Sequence, residues 1–184
     1  LGAVQAGTVG YALDRGQGTV RRVDPATFVA APPVEVIEGA RGDLSAHPSG
    51  DVVYVVDHER GRVAVADARS LSGLRGEIQS LAESLRSSVV DADGRLWALG
   101  ATTGDITWFD GVERHARRGA VADPASAELV VIDGRPAVVE RAGRVVRALG
   151  GGGGFGAESC LEIEPSDRSV RVAGSDSGHR LFVV

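Results

Sequence analysis

Short apolar runs separated by turn residues recur along the whole chain. Residues 44–67 show the pattern best. Leu44-Ser45-Ala46-His47 leads through Pro48-Ser49-Gly50 into Val52-Val53-Tyr54-Val55-Val56, and His58-Glu59-Arg60-Gly61 turns the chain into Arg62-Val63-Ala64-Val65-Ala66-Asp67. Runs of this length, rich in Val, Tyr and Ile and bounded by Gly, Asp and Ser, predict strands joined by hairpins. The segment after Gly61 is too short for a stable helix between such turns. Residues 89–110 repeat the pattern: Val89-Val90, the hairpin dipeptide Asp93-Gly94, Arg95-Leu96-Trp97-Ala98-Leu99, then Gly104 and Asp105-Ile106-Thr107-Trp108-Phe109-Asp110. Asp-Gly marks a tight hairpin because a type I′ turn needs positive φ at both central residues.

The pattern is periodic. A first turn position falls at Gly7, Gly50, Gly94, Gly134 and Asp167, at intervals of 43, 44, 40 and 33. A second falls at Gly18, Gly61, Gly104, Gly143 and Gly178, at intervals of 43, 43, 39 and 35. An aspartate closes the third run at Asp24, Asp67 and Asp110, at intervals of 43 and 43. Three to four strands in each repeat of about 40–45 residues predict β-propeller blades. One four-stranded sheet cannot bury both of its faces alone, so repeats of this kind stack face to face. The predicted fold is all-β: a partial β-propeller of four to five blades, each of three to four antiparallel strands. Approximate blades are 1–37, 38–81, 82–121, 122–158 and an incomplete 159–184. A β-sandwich or solenoid of the same hairpins is the alternative.

The second run of each repeat, around Tyr11, Tyr54, Trp97, Ala137 and Val172, is predicted to be a central buried strand. Fourth runs are weaker, as outer strands are: Val34-Glu35-Val36-Ile37 in the first repeat and Ala116 to Val121 in the third. Leu74, Ile78, Leu81 and Leu85 are spaced 4, 3 and 4, which is helical periodicity, so a short helix competes there with a fourth strand.

Composition adds little to the fold and removes some functions. The chain has 184 residues, 43% hydrophobic and 24% charged, and a net charge of −5. That is ordinary for a globular domain. Arginine is dispersed, and its densest local group, Arg114, Arg117 and Arg118 around His115, is too small for a nucleic-acid footprint, so nucleic acid is excluded as a partner. All 20 basic residues are Arg, and Lys, Asn and Met do not occur, which suggests a GC-rich source genome and leaves no N-glycosylation acceptor. A first residue other than Met, inside a repeat, suggests an excerpt of a longer protein, with its ring short of blades. Cys160 is the single cysteine, so an internal disulfide and a cysteine-rich zinc site are excluded. At the start of a strand it is expected to be a buried, inert thiol.

Few motifs suggest chemistry, and each has a plainer reading. Gly150 to Gly156 contains G-x-G-x-x-G at Gly151, Gly153 and Gly156, but no helix follows to present amides to phosphate, and a Walker loop needs a Lys that this chain lacks. A flexible loop between blades is expected instead. Asp91-Ala92-Asp93-Gly94 begins like a calcium loop but lacks the closing Glu, with Thr102 in its place, and reads as a hairpin turn. Asp24, Asp67 and Asp110 are expected to cap turns by side-chain hydrogen bonds. His47, His58, His115 and His179 show no metal spacing, and His58 is expected to be solvated at a turn tip. Trp97 and Trp108 could stack on a sugar or on a base, but core packing is the expectation. No catalytic, cofactor-binding or metal-binding residue is assigned, and no cofactor is implied.

The segments Ala46–Asp57 and Gly61–Asp67 resemble a blade of the YVTN/NHL type. Val23-Asp24-Pro25-Ala26-Thr27, Val89 to Trp97 and Gly143-Arg144-Val145-Val146-Arg147 are similar to the N-terminal propeller region of large actinobacterial surface proteins that continue into fibronectin type III repeats. The resemblance implies a non-enzymatic, extracytoplasmic cell-surface architecture, with membrane anchoring only through segments outside this chain. It implies a scaffold or binding propeller, with a protein or a cell-wall glycan as ligand. The alternative is a propeller-based enzyme, a lyase or glycoside hydrolase, whose site would form from converging blade loops.

Overall fold

In the computed structural model, residues 2–6, 9–72, 78–81, 83–111, 113–160, 172–174 and 181–183 are described. The chain divides into two compact units, residues 1–85 and 86–184.

The first unit opens with a three-stranded antiparallel meander of β1 (Gly2–Ala6), β2 (Val9–Asp14) and β3 (Thr19–Val23). A four-stranded sheet follows, ordered as in sequence: β4 (Leu44–Ser49), β5 (Val52–Asp57), β6 (Arg62–Asp67) and β7 (Gln79–Ser80). Strand β5 is buried from Val53 to Asp57 on both faces, as expected for a central strand of a stacked sheet. Val53 and Val55 join Tyr11, Leu13, Val20, Ile37 and Leu44 in one apolar core. The Tyr11 hydroxyl, buried with the rest, donates to the Ala68 carbonyl at 2.8 Å.

The second unit repeats the arrangement. β8 (Leu85–Val90), β9 (Leu96–Gly100), β10 (Ile106–Asp110) and β11 (Glu113–Arg117) form one antiparallel sheet in that order. β12 (Ala127–Ile132), β13 (Arg135–Glu140), β14 (Val145–Leu149) and β15 (Phe155–Cys160) form the next. A two-stranded pair, β16 (Val172–Gly174) and β17 (Leu181–Val183), completes it. Trp97, Leu99, Ile106 and Trp108 pack with Leu129, Val138 and Leu149 as the core between the two larger sheets. The Leu129 amide donates to Ser87 Oγ at 2.9 Å across the same boundary. Outer strands β11 and β15 are largely exposed, and the charged residues of β11 protect an open sheet edge.

The repeating glycines have a physical cause. Gly50, Gly94 and Gly134 sit in the turns between first and second strands, with φ of 57°, 82° and 69°. Gly18, Gly61 and Gly104 sit in the turns between second and third strands, with φ of 70°, 58° and 67°. A Cβ at these three would lie 1.6 Å from the Ala40 carbonyl oxygen, 1.7 Å from that of Glu83 and 2.0 Å from that of Val121. The chain leaving each sheet thus crosses directly over the hairpin. The crossing is hydrogen-bonded: the Leu81 amide donates to Gly61 O at 2.7 Å, and Val121 to Gly104 O at 3.0 Å. The fourth repeat departs from this, because Gly143 lies in the turn but Arg144 takes the positive φ, at 53°.

Four local expectations are corrected. Among the described residues, the helical spacing ending at Leu85 does not form a helix. Gln79 and Ser80 pair with Val63 and Arg62, and Leu85 begins β8. Leu81 and Leu85 are both buried, but in different segments, which mimics a helical period; Leu74 lies outside the described residues. The fourth strand of the third repeat is Glu113–Arg117, not Ala116–Val121, and Val121 is buried because it makes the crossing over Gly104. Of Val34–Ile37, only Val34 pairs, bridging Val20. Cys160 is exposed, not buried, because it ends the outermost strand of its sheet.

Candidate functional site

Tight turns set a concave surface of the second unit. Asp133 and Gly134 are the two residues of the β12–β13 hairpin, both at positive φ, 52° and 69°. That is the geometry Asp-Gly favours. The β8–β9 turn is braced from below by Asp91, whose side chain is 1% exposed. Asp91 Oδ1 accepts from the Arg95 amide at 2.9 Å, and Oδ2 accepts from Arg95 Nε at 2.9 Å and from Trp97 Nε1 at 2.8 Å. Arg95 also pairs with Asp93. The two turns are tied together, since the Ala92 amide donates to Gly134 O at 2.8 Å. A Cβ on Gly134 would lie 2.7 Å from the Ala92 Cβ, so glycine permits this approach.

The glycine run forms the third wall. It joins β14 to β15 within one sheet rather than linking two blades, and is closed by hydrogen bonds from Gly150 N to Gly154 O and from Gly153 N to Gly150 O, both 2.8 Å. Gly153 lies flat on Trp108, where a Cβ would come within 2.5 Å of the ring, and Gly151 lies against the Arg95 guanidinium. Arg117 Nη1 donates to Gly153 O at 3.0 Å. Together these segments enclose a cavity of about 650 Å³, lined by Ala92, Asp93 and Arg95, by residues 133–136, by residues 148–151, and by Gly156 and Ala157. Trp97, Trp108 and His115 stack in register across β9, β10 and β11, with ring centroids 5.2 Å apart at each step. The two tryptophans belong to the core.

A second polar group lies in the first unit. Ser45 Oγ is 2.9 Å from His47 Nε2 and 2.8 Å from His58 Nε2. A hydroxyl has one hydrogen to give, so one imidazole accepts it and the other donates to the oxygen. Burial, helped by the neighbouring His58, pushes His47 down to about 4. Burial also lowers His58, against the pull of the Asp43 carboxylate. Both imidazoles are therefore neutral at neutral pH, and the group is an uncharged relay pinning β4 to the end of β5. His58 is 7% exposed, not solvated, because the chain leaving the sheet covers it: the Leu85 amide donates to His58 O at 2.7 Å. Asp57 beside it is fully buried and paired to Arg62 at 2.7 Å and to Arg60 at 3.5 Å.

The remaining sequence candidates sort by geometry. Asp24 Oδ1 accepts from the Ala26 and Thr27 amides at 2.9 and 3.0 Å, and Asp67 Oδ1 from those of Arg69 and Ser70 at 3.1 and 2.8 Å. These are turn caps, and the bonds hold both carboxyls below the usual carboxylate range. Asp110 is exposed at the end of β10. His179 and Asp167 lie outside the described residues. Among the described residues, no group of three or more His, Cys, Asp and Glu is placed to hold a metal ion. Sequence reading passed over the Ser45 relay and the cavity. The pair of Asp-Gly-Arg turns, Asp93–Arg95 and Asp133–Arg135, was the available signal for the cavity.

No protein-family model matches the chain, and no curated protein sequence does. Solved structures do. The chain is similar to a catalytically inactive virginiamycin B lyase from Staphylococcus aureus with quinupristin, at TM-score 0.72 and 12% identity, over 100% of this chain and 61% of that one. It is similar to Hsv2 of Kluyveromyces lactis, at TM-score 0.70 and 14% identity, over 99% of this chain and 57% of that one. It is also similar to PorZ, a bacterial surface component of the type-IX secretion system of Porphyromonas gingivalis, at TM-score 0.62 and 11% identity, over 98% of this chain and 22% of that one. The chain thus spans about three fifths of the length of the lyase it matches. At these identities the likeness establishes the fold: the chain is an all-β, partial β-propeller of three- and four-stranded antiparallel blades.

Proposed function

We propose that this chain is a non-enzymatic binding propeller whose ligand meets the hairpin-turn cavity of the second unit. One observation carries the reading. The cavity has the size of a small-ligand site and is walled by turns locked to one another and to the core, so its backbone groups and Arg95 are held in place before a ligand arrives. Among the described residues its lining offers carboxylates, guanidiniums, backbone and small apolar groups, but no Ser, Thr, Cys, His, Tyr or Lys that could act as nucleophile or imidazole base. The resemblance to blades of actinobacterial surface proteins with fibronectin type III repeats extends the proposal to an extracytoplasmic scaffold at the cell surface, with a protein or cell-wall glycan as partner. The surface role stated for PorZ supports that setting.

A propeller-based lyase or hydrolase is the competing reading, favoured by the Ser45–His47–His58 group and by the likeness to virginiamycin B lyase. A ¹H–¹⁵N NMR screen of neutral, acidic and basic small molecules separates the two. The binding reading expects amide shifts at 92–95, 133–135 and 149–151, with every compound unchanged over time. Time-dependent consumption of a compound, abolished by Ser45→Ala in a protein that still folds, would replace it with the enzyme reading.

A further inference from the structure

The chemistry of the cavity lining narrows the ligand, on the reading that the cavity binds one. Its charged groups are two carboxylates, Asp93 and Asp133, and two guanidiniums, Arg95 and Arg135. Charge in the lining therefore sums to zero. Arg95 is moreover already compensated by Asp91 and Asp93. Its Nε and Nη2 are engaged by these carboxylates, while Nη1 lies by Gly151. A guanidinium in that state is a directed N–H donor and a poor anion trap. An anionic ligand would meet Asp93 and Asp133, and a cationic one would meet Arg135, so either pays like-charge repulsion.

A ligand suited to this lining is uncharged, and carries hydroxyls that donate to carboxylates and accept from guanidiniums at adjacent positions. Vicinal diols do this, because Asp is acceptor-only and Arg donor-only in planar, two-pronged geometry. Between the charged turns, Pro136, Ala148 and Leu149 supply an apolar floor for C–H faces. We infer that the cavity is a binding site for a neutral saccharide, with Asp133 and Arg135 on one rim and Arg95 held rigidly on the other.

Isothermal titration of the full chain with maltotriose, cellotriose and N,N′,N″-triacetylchitotriose tests this, alongside an acidic peptide, a basic peptide and galacturonic acid trimer. Arg135→Ala and Asp133→Asn are the variants: both residues are exposed, and Asn tolerates the positive φ at 133. The expected result is saturable binding of at least one neutral trisaccharide, little changed between about 0.1 M and about 1 M salt. Each variant should weaken it about tenfold or more at an unchanged melting temperature. Binding of a charged probe alone, weakened by salt and by the same variants, would overturn the saccharide inference and leave the cavity a binding site. Saccharide binding indifferent to both variants would overturn the placement. Binding of no probe, with no amide shift at the cavity turns in the NMR screen, would overturn both.

Discussion

Gly61 and Gly50 have nearly the same φ, 58° and 57°, yet their surroundings differ completely. A Cβ at Gly61 meets the Glu83 carbonyl at 1.7 Å, whereas one at Gly50 meets nothing within 4 Å. Gly50→Ala therefore incurs only the left-handed backbone penalty, about 1 kcal/mol. Gly61→Ala must also push away the chain that crosses the hairpin, and should destabilise by about 3 kcal/mol or more. Urea unfolding midpoints of the two variants measure the difference; equal losses would mean that positive φ alone maintains the repeating glycine. At this scale the periodic glycines were legible in sequence because one backbone constraint recurs once per blade. Cys160 and His58 were misread for a reason of the same kind. Exposure of a thiol on an outer strand, and cover of an imidazole by the chain crossing at Leu85, depend on neighbours that local sequence does not name.

Hairpins and their strands were the most legible elements. The central strands β2, β5, β9 and β13 fall on the second apolar runs, and β5, β9 and β13, buried on both faces, read as nearly unbroken apolar stretches. Outer strands were less legible, because solvent tolerates many residue types on them, and the false helical spacing through Leu81 and Leu85 arose where two connecting segments each bury one leucine. The relay between β4 and the end of β5 yields a prediction at this scale. His47 titrates near 4 in the folded chain and near 6.5 when unfolded. Between those values the unfolded chain binds the proton that the folded chain refuses, so stability is full above about pH 6.5 and declines as pH falls toward 4. His58, lowered by burial and faced by Asp43, Asp57 and Arg15, acts in the same direction. The capping carboxyls Asp24 and Asp67 act at lower pH, because their depressed values delay protonation. Melting temperatures followed by circular dichroism should therefore fall between pH 7 and pH 4.5, and His47→Gln should shrink that fall. An identical fall in the variant would show that the imidazole is not the group responsible.

Across the whole molecule, the fold was legible and the candidate site was not. A period near 43 residues announces blades wherever each repeat must bury its faces against the next. The cavity draws instead on turns at Asp93 and Asp133 and on a loop at Gly150, which are brought together only by stacking of two sheets. On the proposed function, recognition lies at these turns and the Ser45 relay has a structural role. Fluorescence anisotropy with the best-binding labelled trisaccharide tests that division on three proteins: the unaltered chain, Arg135→Ala and Ser45→Ala. Arg135→Ala should weaken binding about tenfold or more, while Ser45→Ala should bind within about twofold of the unaltered chain. Binding that survives Arg135→Ala and is lost in a folded Ser45→Ala would contradict that division and move the functional site to the first unit.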